Sequence, residues 1–200
     1  MTLDNYRKNV GWIVKPTARA LVRLRFTPDN CTVIAFIASV IAGYFFYKAD
    51  IILGTIFVFL NAFFDAIDGS IARELNIASP RGDFLDHVLD RYADIAIICG
   101  IFAGDLCPWP VGVFALTGVL MSSYLGTQAQ AVGAGRFYGG LLGRADRLVL
   151  LIAGGIVAVI YPFNFAGLGI FGWLMVLFGA LGHFTAIQRF VHVWKNLNNN

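Results

Sequence analysis

The 200-residue chain is 58% hydrophobic and 14% charged, against roughly 45–50% and about 25% in soluble domains. With a mean hydropathy of +0.71 it carries too little charge to coat a water-soluble globule, and the same composition excludes a disordered chain. A formal net charge of +3 does not call for a polyanionic partner, so no nucleic acid is expected.

In chain order, residues 1–30 come first as a basic amphipathic segment. Arg7, Lys8, Lys15, Arg19, Arg23 and Arg25 are interleaved with Val10, Trp12, Ile13, Val14, Leu21 and Leu24, which predicts a helix lying in the membrane interface. It does not read as a cleavable signal peptide, because no apolar core follows the early charges and no small-residue cleavage site closes it. Six apolar stretches follow, roughly 31–49, 51–68, 84–104, 109–132, 147–162 and 166–188, each near the about 20 residues of a membrane helix. The expected fold class is all-α: an interfacial helix over 1–30 and a six-helix membrane domain over 31–200. Gly and Ala are plentiful in the spans, as close helix packing in lipid requires. Cys31, Cys99 and Cys107 lie in or beside apolar runs without CxxC spacing and read as small hydrophobes.

Lysine and arginine placement orients the spans. All but Lys48 and Arg91 lie in the N-terminal arm, the 69–83 connection, the 133–147 connection or the tail. The positive-inside rule then puts both termini in the cytoplasm of a multi-pass membrane protein. The opposite connections, near Lys48–Asp50, Asp105–Pro110 and Tyr161–Gly167, are short and nearly uncharged.

One feature conflicts with membrane insertion. Asp65 and Asp68 end the second span, and Asp83, Asp86, Asp90 and Asp94 open the third. An Asp at a span's centre costs ~2.5–3.5 kcal/mol, so four would oppose insertion by roughly 10–14 kcal/mol at mid-bilayer. The spacings i,i+3 (Asp65, Asp68) and i,i+4 (Asp86, Asp90) put each pair on one helical face, about 4.5 and 6 Å apart along the axis. The short connection makes the two helices antiparallel neighbours, so both pairs can face one cleft. Four carboxylates suit two divalent ions, and an oxygen-only donor set selects Mg²⁺, Mn²⁺ or Ca²⁺ over zinc. Two other readings exist: helix caps or ion-pair partners of Arg73, Arg81 and Arg91, and a cation or proton transporter that uses the acids as a relay. A relay predicts acids near mid-span on several helices rather than a cluster beside one connection.

The string Asp65-x2-Asp68-Gly69-x2-Ala72-Arg73-x8-Gly82-x3-Asp86-x3-Asp90 resembles the signature of the CDP-alcohol phosphotransferase (CDP-alcohol phosphatidyltransferase) family of phospholipid synthesis. The six-span layout and the basic N-terminal helix extend the likeness over nearly the whole chain. It implies a cell-membrane transferase that cleaves a CDP-activated lipid, CDP-diacylglycerol or CDP-archaeol, releases CMP and joins the lipid phosphate to an alcohol. It further implies two divalent cations, Mg²⁺ or Mn²⁺, on Asp65, Asp68, Asp86 and Asp90, with Asp90 also the general base, a cytoplasmic active site and a homodimer. Gly69, Ala72 and Gly82 would keep the cleft wall free of bulk for the CDP group, and Arg73 would reach the diphosphate. Ser79 aligns with a hydroxyl residue near the nucleotide. Asp29, Asn30 and Thr32 lie in a stretch resembling a segment that lines the nucleotide site, although Thr27-Pro28-Asp29-Asn30 is equally a good helix start.

Arg144, Arg147 and Arg189 form a second basic constellation. Similar arginines in the family's inositol-phosphate branch bind the acceptor's phosphate, which implies a polyol-phosphate acceptor here. That branch carries Lys-x-Arg-x-Glu after Ser-Tyr, whereas this chain reads Ser123-Tyr124-Leu125-Gly126-Thr127-Gln128-Ala129-Gln130. The departure leaves glycerol phosphate and inositol phosphate both open. The Gly-Thr-Gln-Ala-Gln string and Tyr138-Gly139-Gly140-Leu141-Leu142-Gly143 resemble archaeal members, which points to an ether-linked lipid.

Overall fold

The computed structural model describes residues 16–75, 77, 79–135, 140–161 and 164–197. Residues 1–15 of the expected interfacial helix, together with Tyr138 and Gly139, lie outside the described residues. Helix α1 covers residues 16–23. It is followed by α2 (Pro28–Tyr47), α3 (Ile51–Glu74), α4 (Pro80–Ala103), α5 (Trp109–Ala131), α6 (Arg144–Ile160) and α7 (Ile170–Leu197). A two-residue antiparallel ladder, β1 (Asn164–Phe165) with β2 (Leu168–Gly169), closes the turn between α6 and α7.

Local chemistry sets the helix starts. Thr27 caps α2, its hydroxyl accepting the Asn30 N–H at 3.3 Å ahead of Pro28. Asp50 caps α3 by accepting the Leu53 N–H at 3.0 Å. Ser79 caps α4 by accepting the Gly82 N–H at 3.1 Å, again with proline following. At α6 the Asp146 carboxylate reaches back to the Gly143 N–H at 2.8 Å. These caps satisfy amide donors that a helix leaves unpaired. Several helices outrun the apolar stretches of the sequence. α3 continues to Glu74 rather than 68, α4 begins at Pro80 rather than 84, and α7 continues to Leu197 rather than 188. The whole Asp65–Arg73 string is therefore helical.

Among the described helices α2, α3, α5 and α7 are long and apolar enough to cross a membrane, four rather than the six expected. α4 falls short because the carboxylates that make it chemically interesting lower its hydropathy. α6 falls short because it has only 17 residues and opens on Arg144 and Arg147. The exterior remains apolar, with Ile52, Ile56 and Phe59 of α3, Ile160 of α6, and Ile187 and Phe190 of α7 all exposed. This is a membrane protein.

The main core joins Phe46, Val58, Ile97, Ile101, Met175 and Phe178. A second cluster of Ala18, Cys31, Ile67 and Ile71 seats α1 against α2 and α3, and an Arg19–Glu74 ion pair at 2.9 Å ties α1 to the end of α3. Backbone approach sets the helix register: a Cβ on Gly100 would fall on the Gly43 backbone, and one on Gly104 would meet the Phe46 carbonyl. α2 and α4 thus touch main chain to main chain, which aligns the acidic turns of α4 with α2 and α3. Gly100→Val should cost at least about 1–3 kcal/mol through overpacking, read as a lowered thermal midpoint in detergent. Gly167→Asn, at φ 76 with no atom near its Cβ, should stay within about 0.5 kcal/mol of the parent.

Candidate active site

α3 and α4 build the site at their facing ends; they are not the packed neighbours that the short connection predicts, because α2 packs on both and stands between them. Asp65 and Asp68 share one face of α3, while Asp86, Asp90 and Asp94 repeat every fourth residue along α4. One oxygen from each of Asp65, Asp68 and Asp86 lies within 4.8 Å of the others. Thr32 of α2 donates its hydroxyl to Asp68 Oδ2 at 2.9 Å and also to the Pro28 carbonyl at 3.1 Å. Asp86 Oδ1 is buried with no hydrogen-bond partner, a costly arrangement for a carboxylate oxygen. Three converging carboxylates, one with an unsatisfied buried oxygen and all with oxygen donors, fit a hard divalent cation. His87 stands on the flank, its Nδ1 3.7 Å from Asp83 and 4.0 Å from Asp86.

Asp90 differs from expectation. The structure gathers three of the four predicted metal acids at one point and sets Asp90 beside them, linked through Arg144. That arginine hydrogen-bonds Asp65, lies 2.7 Å from Asp90 Oδ1 and reaches Asn61 Oδ1 at 3.5 Å. The ion-pair reading is thus partly met, but chiefly by an arginine distant in sequence. Of the three arginines it named, Arg91 lies 3.8 Å from Asp90 and hydrogen-bonds Ser123 of α5.

The residues expected around a nucleotide occupy one side of this cluster. A Cβ on Gly82 would lie 3.4 Å from Ser79 Oγ and 3.6 Å from Asp29 Oδ1, so the first turns of α2 and α4 meet there. A Cβ on Gly69 would lie 3.3 Å from the Arg73 guanidinium, which folds over that glycine. Ala72 is half-buried one turn after Asp68, and Asn30 is exposed in the first turn of α2. Ser79 has a structural duty as the α4 cap in addition to its place in the cleft.

The three arginines predicted for the acceptor fall on the other side. Arg147 Nη2 donates to Asp94 Oδ2 at 2.7 Å, both residues being buried. Arg189 of α7 donates to the Ser122 carbonyl of α5, and Thr185 accepts the Leu141 N–H at 3.4 Å. Arg144 belongs more to the acid cluster than the sequence implied. Sequence reasoning missed Asn61, the bond from Arg91 to Ser123 and the partner role of Asp94. Asn61 is fully buried, donates to the Ala35 carbonyl at 2.8 Å and presents its oxygen to Arg144. A polar amide inside an apolar run, one turn before Asp65, was the signal for it.

Comparison with known proteins identifies the family. A model of the CDP-alcohol phosphatidyltransferase family matches residues 25–188. The archaetidylinositol phosphate synthase of Pyrococcus horikoshii is 32% identical over 98% of this chain and 98% of its own. That of Methanothermobacter thermautotrophicus is 31% identical over 98% and 95%. Two crystal structures of Mycobacterium tuberculosis phosphatidylinositol phosphate synthase superpose with a TM-score of 0.78 at 28% identity and cover 91% of this chain. One, with CDP-DAG bound, is covered over 94% of its length, and the other, with manganese and citrate, over 89%.

Asp86→Asn should weaken Mn²⁺ binding by at least about tenfold, and Thr32→Val, which leaves Asp68 without its hydroxyl donor, by about 10–100-fold. Titration of bound against free Mn²⁺ by electron paramagnetic resonance checks both, and unchanged affinity in both variants would contradict the assignment.

Proposed function

This chain belongs to the CDP-alcohol phosphatidyltransferase family and is a transferase of phospholipid biosynthesis, and within that family we propose that it joins the lipid phosphate of a CDP-activated lipid to inositol phosphate, releasing CMP. The observation that carries this reading is the meeting, in one cleft, of a metal-fitting carboxylate cluster with the half-buried Arg144 and the buried Arg147 of α6. The names of the two relatives matched over nearly their full length favour inositol phosphate over glycerol phosphate, and CDP-archaeol as the lipid. The transport alternative is not favoured, because family membership accounts for the same aspartates.

Asp65, Asp68 and Asp86, with Asp90 shared, would hold a pair of divalent cations, Mg²⁺ or Mn²⁺, which would supply Lewis-acid stabilisation of the charge developed in the displacement. The chain's own residues do the rest. Arg73, folded over Gly69, binds the diphosphate, and Asp29, Ser79 and Gly82 leave room for the cytidine between the first turns of α2 and α4. Arg144, Arg147 and Arg189 take the acceptor's phosphate. Arg91 adds a fourth cation near them, offsetting the absent Lys-x-Arg pattern. Arg91 Nε and Arg144 Nε are buried without hydrogen-bond partners, donors that an anion would satisfy. Asp90 stands between the metal acids and the arginines. It takes the proton from the acceptor hydroxyl as that oxygen attacks the lipid-side phosphorus, and the bond to the CMP oxygen breaks.

The same reading makes α4 and α6 membrane spans alongside the four apolar helices, with their charges turned into the cleft. Residues 1–30 then form the interfacial segment and 31–200 the catalytic membrane domain. Both termini and the site face the cytoplasm of the cell membrane, and two copies pair as a homodimer.

Asp90→Asn should lower kcat by about 10²–10⁴-fold while CDP-lipid binding persists; full activity would remove the base. Purified protein with Mg²⁺ should form product from inositol phosphate, but not from inositol or serine, when mass spectrometry follows a panel that also holds glycerol phosphate. A product from glycerol phosphate alone would overturn the acceptor, and turnover in excess EDTA would overturn the metal site.

A further inference from the structure

Asp94 lies one turn beyond Asp90 on α4 and stands outside the Asp65, Asp68 and Asp86 cluster. It is 5% exposed. Its Oδ2 accepts from Arg147 Nη2 at 2.7 Å, and its Oδ1 lies 4.0 Å from Arg144 Nε. One buried carboxylate thus serves two guanidinium groups of α6. The main chain of α4 packs on α2 and α5, and that of α6 on α3 and α7. Arginine–carboxylate pairs therefore join α4 to α6 across the cleft.

We propose that Asp94 is a positioning residue for the acceptor, holding Arg147, and Arg144 through its second oxygen, in the orientation that receives the acceptor's phosphate. This rests on the reading of the acceptor as a phosphorylated polyol. Three features support it. An arginine fork anchored on one edge keeps its other donors directed and loses less freedom when it binds an anion. Arg144 Nη1 is bonded to Asp65 and Asp90, and Asp94 Oδ1, 4.0 Å from Nε, adds a counter-charge at another nitrogen of the same guanidinium. Asp94 also offsets the cost of burying the Arg147 guanidinium beside it.

The test uses full-length protein in detergent with Mg²⁺, varying inositol phosphate at saturating CDP-lipid and then the reverse, for the parent, D94N, D94E, R147Q and D94N/R147Q. A lost hydrogen bond between charged groups predicts that D94N raises KM for inositol phosphate about ten- to hundredfold, while KM for the CDP-lipid stays within about twofold. D94E should recover most of the loss. D94N/R147Q should have an acceptor KM no higher than R147Q alone, because the two residues act as one unit. That double variant also leaves no unpaired charge between the two positions, so it decides the matter if D94N does not fold. An unchanged acceptor KM in D94N, equal shifts in both KM values, or additive losses in the double variant would overturn the positioning role. Failure of the parent to use any phosphorylated acceptor would instead overturn the acceptor reading, and this proposal with it.

Discussion

Repulsion among carboxylates at membrane depth is the constraint that organises this molecule. Asp65, Asp68 and Asp86 converge with their oxygens within 4.8 Å, an arrangement that is costly in a low-dielectric setting unless cations face it. The chain supplies one such cation itself: Arg144 enters from α6 and bonds to Asp65 and Asp90. The remaining oxygens, including the unsatisfied Asp86 Oδ1, are left for divalent ions. Helix order, glycine contacts and caps can all be understood as means of holding these like charges together.

The glycines do this mechanically. Main-chain contact at Gly43 and Gly100 brings α4 against α2, and Thr32 of α2 bonds Asp68 of α3, so α2 ties the two acidic helices together. Ser79 and Thr27 begin the helices whose first turns flank the cleft. The carboxylates of α4 then divide their work by depth. Asp86 joins the metal-fitting cluster, Asp90 stands at the boundary and Asp94 holds arginines. Successive turns of one helix thus pass from carboxylate-rich to arginine-rich surroundings over about 12 Å.

Much of this was legible in the sequence because it depends on spacing along single helices. The i,i+3 and i,i+4 aspartates and the all-helical membrane class follow from periodicity and composition, and the small residues at Gly69 and Gly82 from the resemblance to the family. The family string added the chemistry. The contacts between segments distant in the chain were not legible. Nothing in Gly143–Arg147 says that Arg144 enters the acid cluster while Arg147 takes Asp94, and nothing near Ser123 says that Arg91 reaches it. Length and hydropathy alone pick out four of the described helices for a related reason: they count charges without knowing that the arginines of α6 meet the acids of α4.

The central claim, that carboxylates from α3 and α4 jointly hold divalent ions at the cytidine side of the cleft, is tested most directly by anomalous diffraction from crystals grown with Mn²⁺. The account predicts two anomalous peaks bounded by Asp65, Asp68, Asp86 and Asp90, with Arg144 displaced from at least one of its carboxylate partners. Crystals saturated with Mn²⁺ that show no peak between those side chains, with the carboxylates turned to separate protein partners, would contradict it.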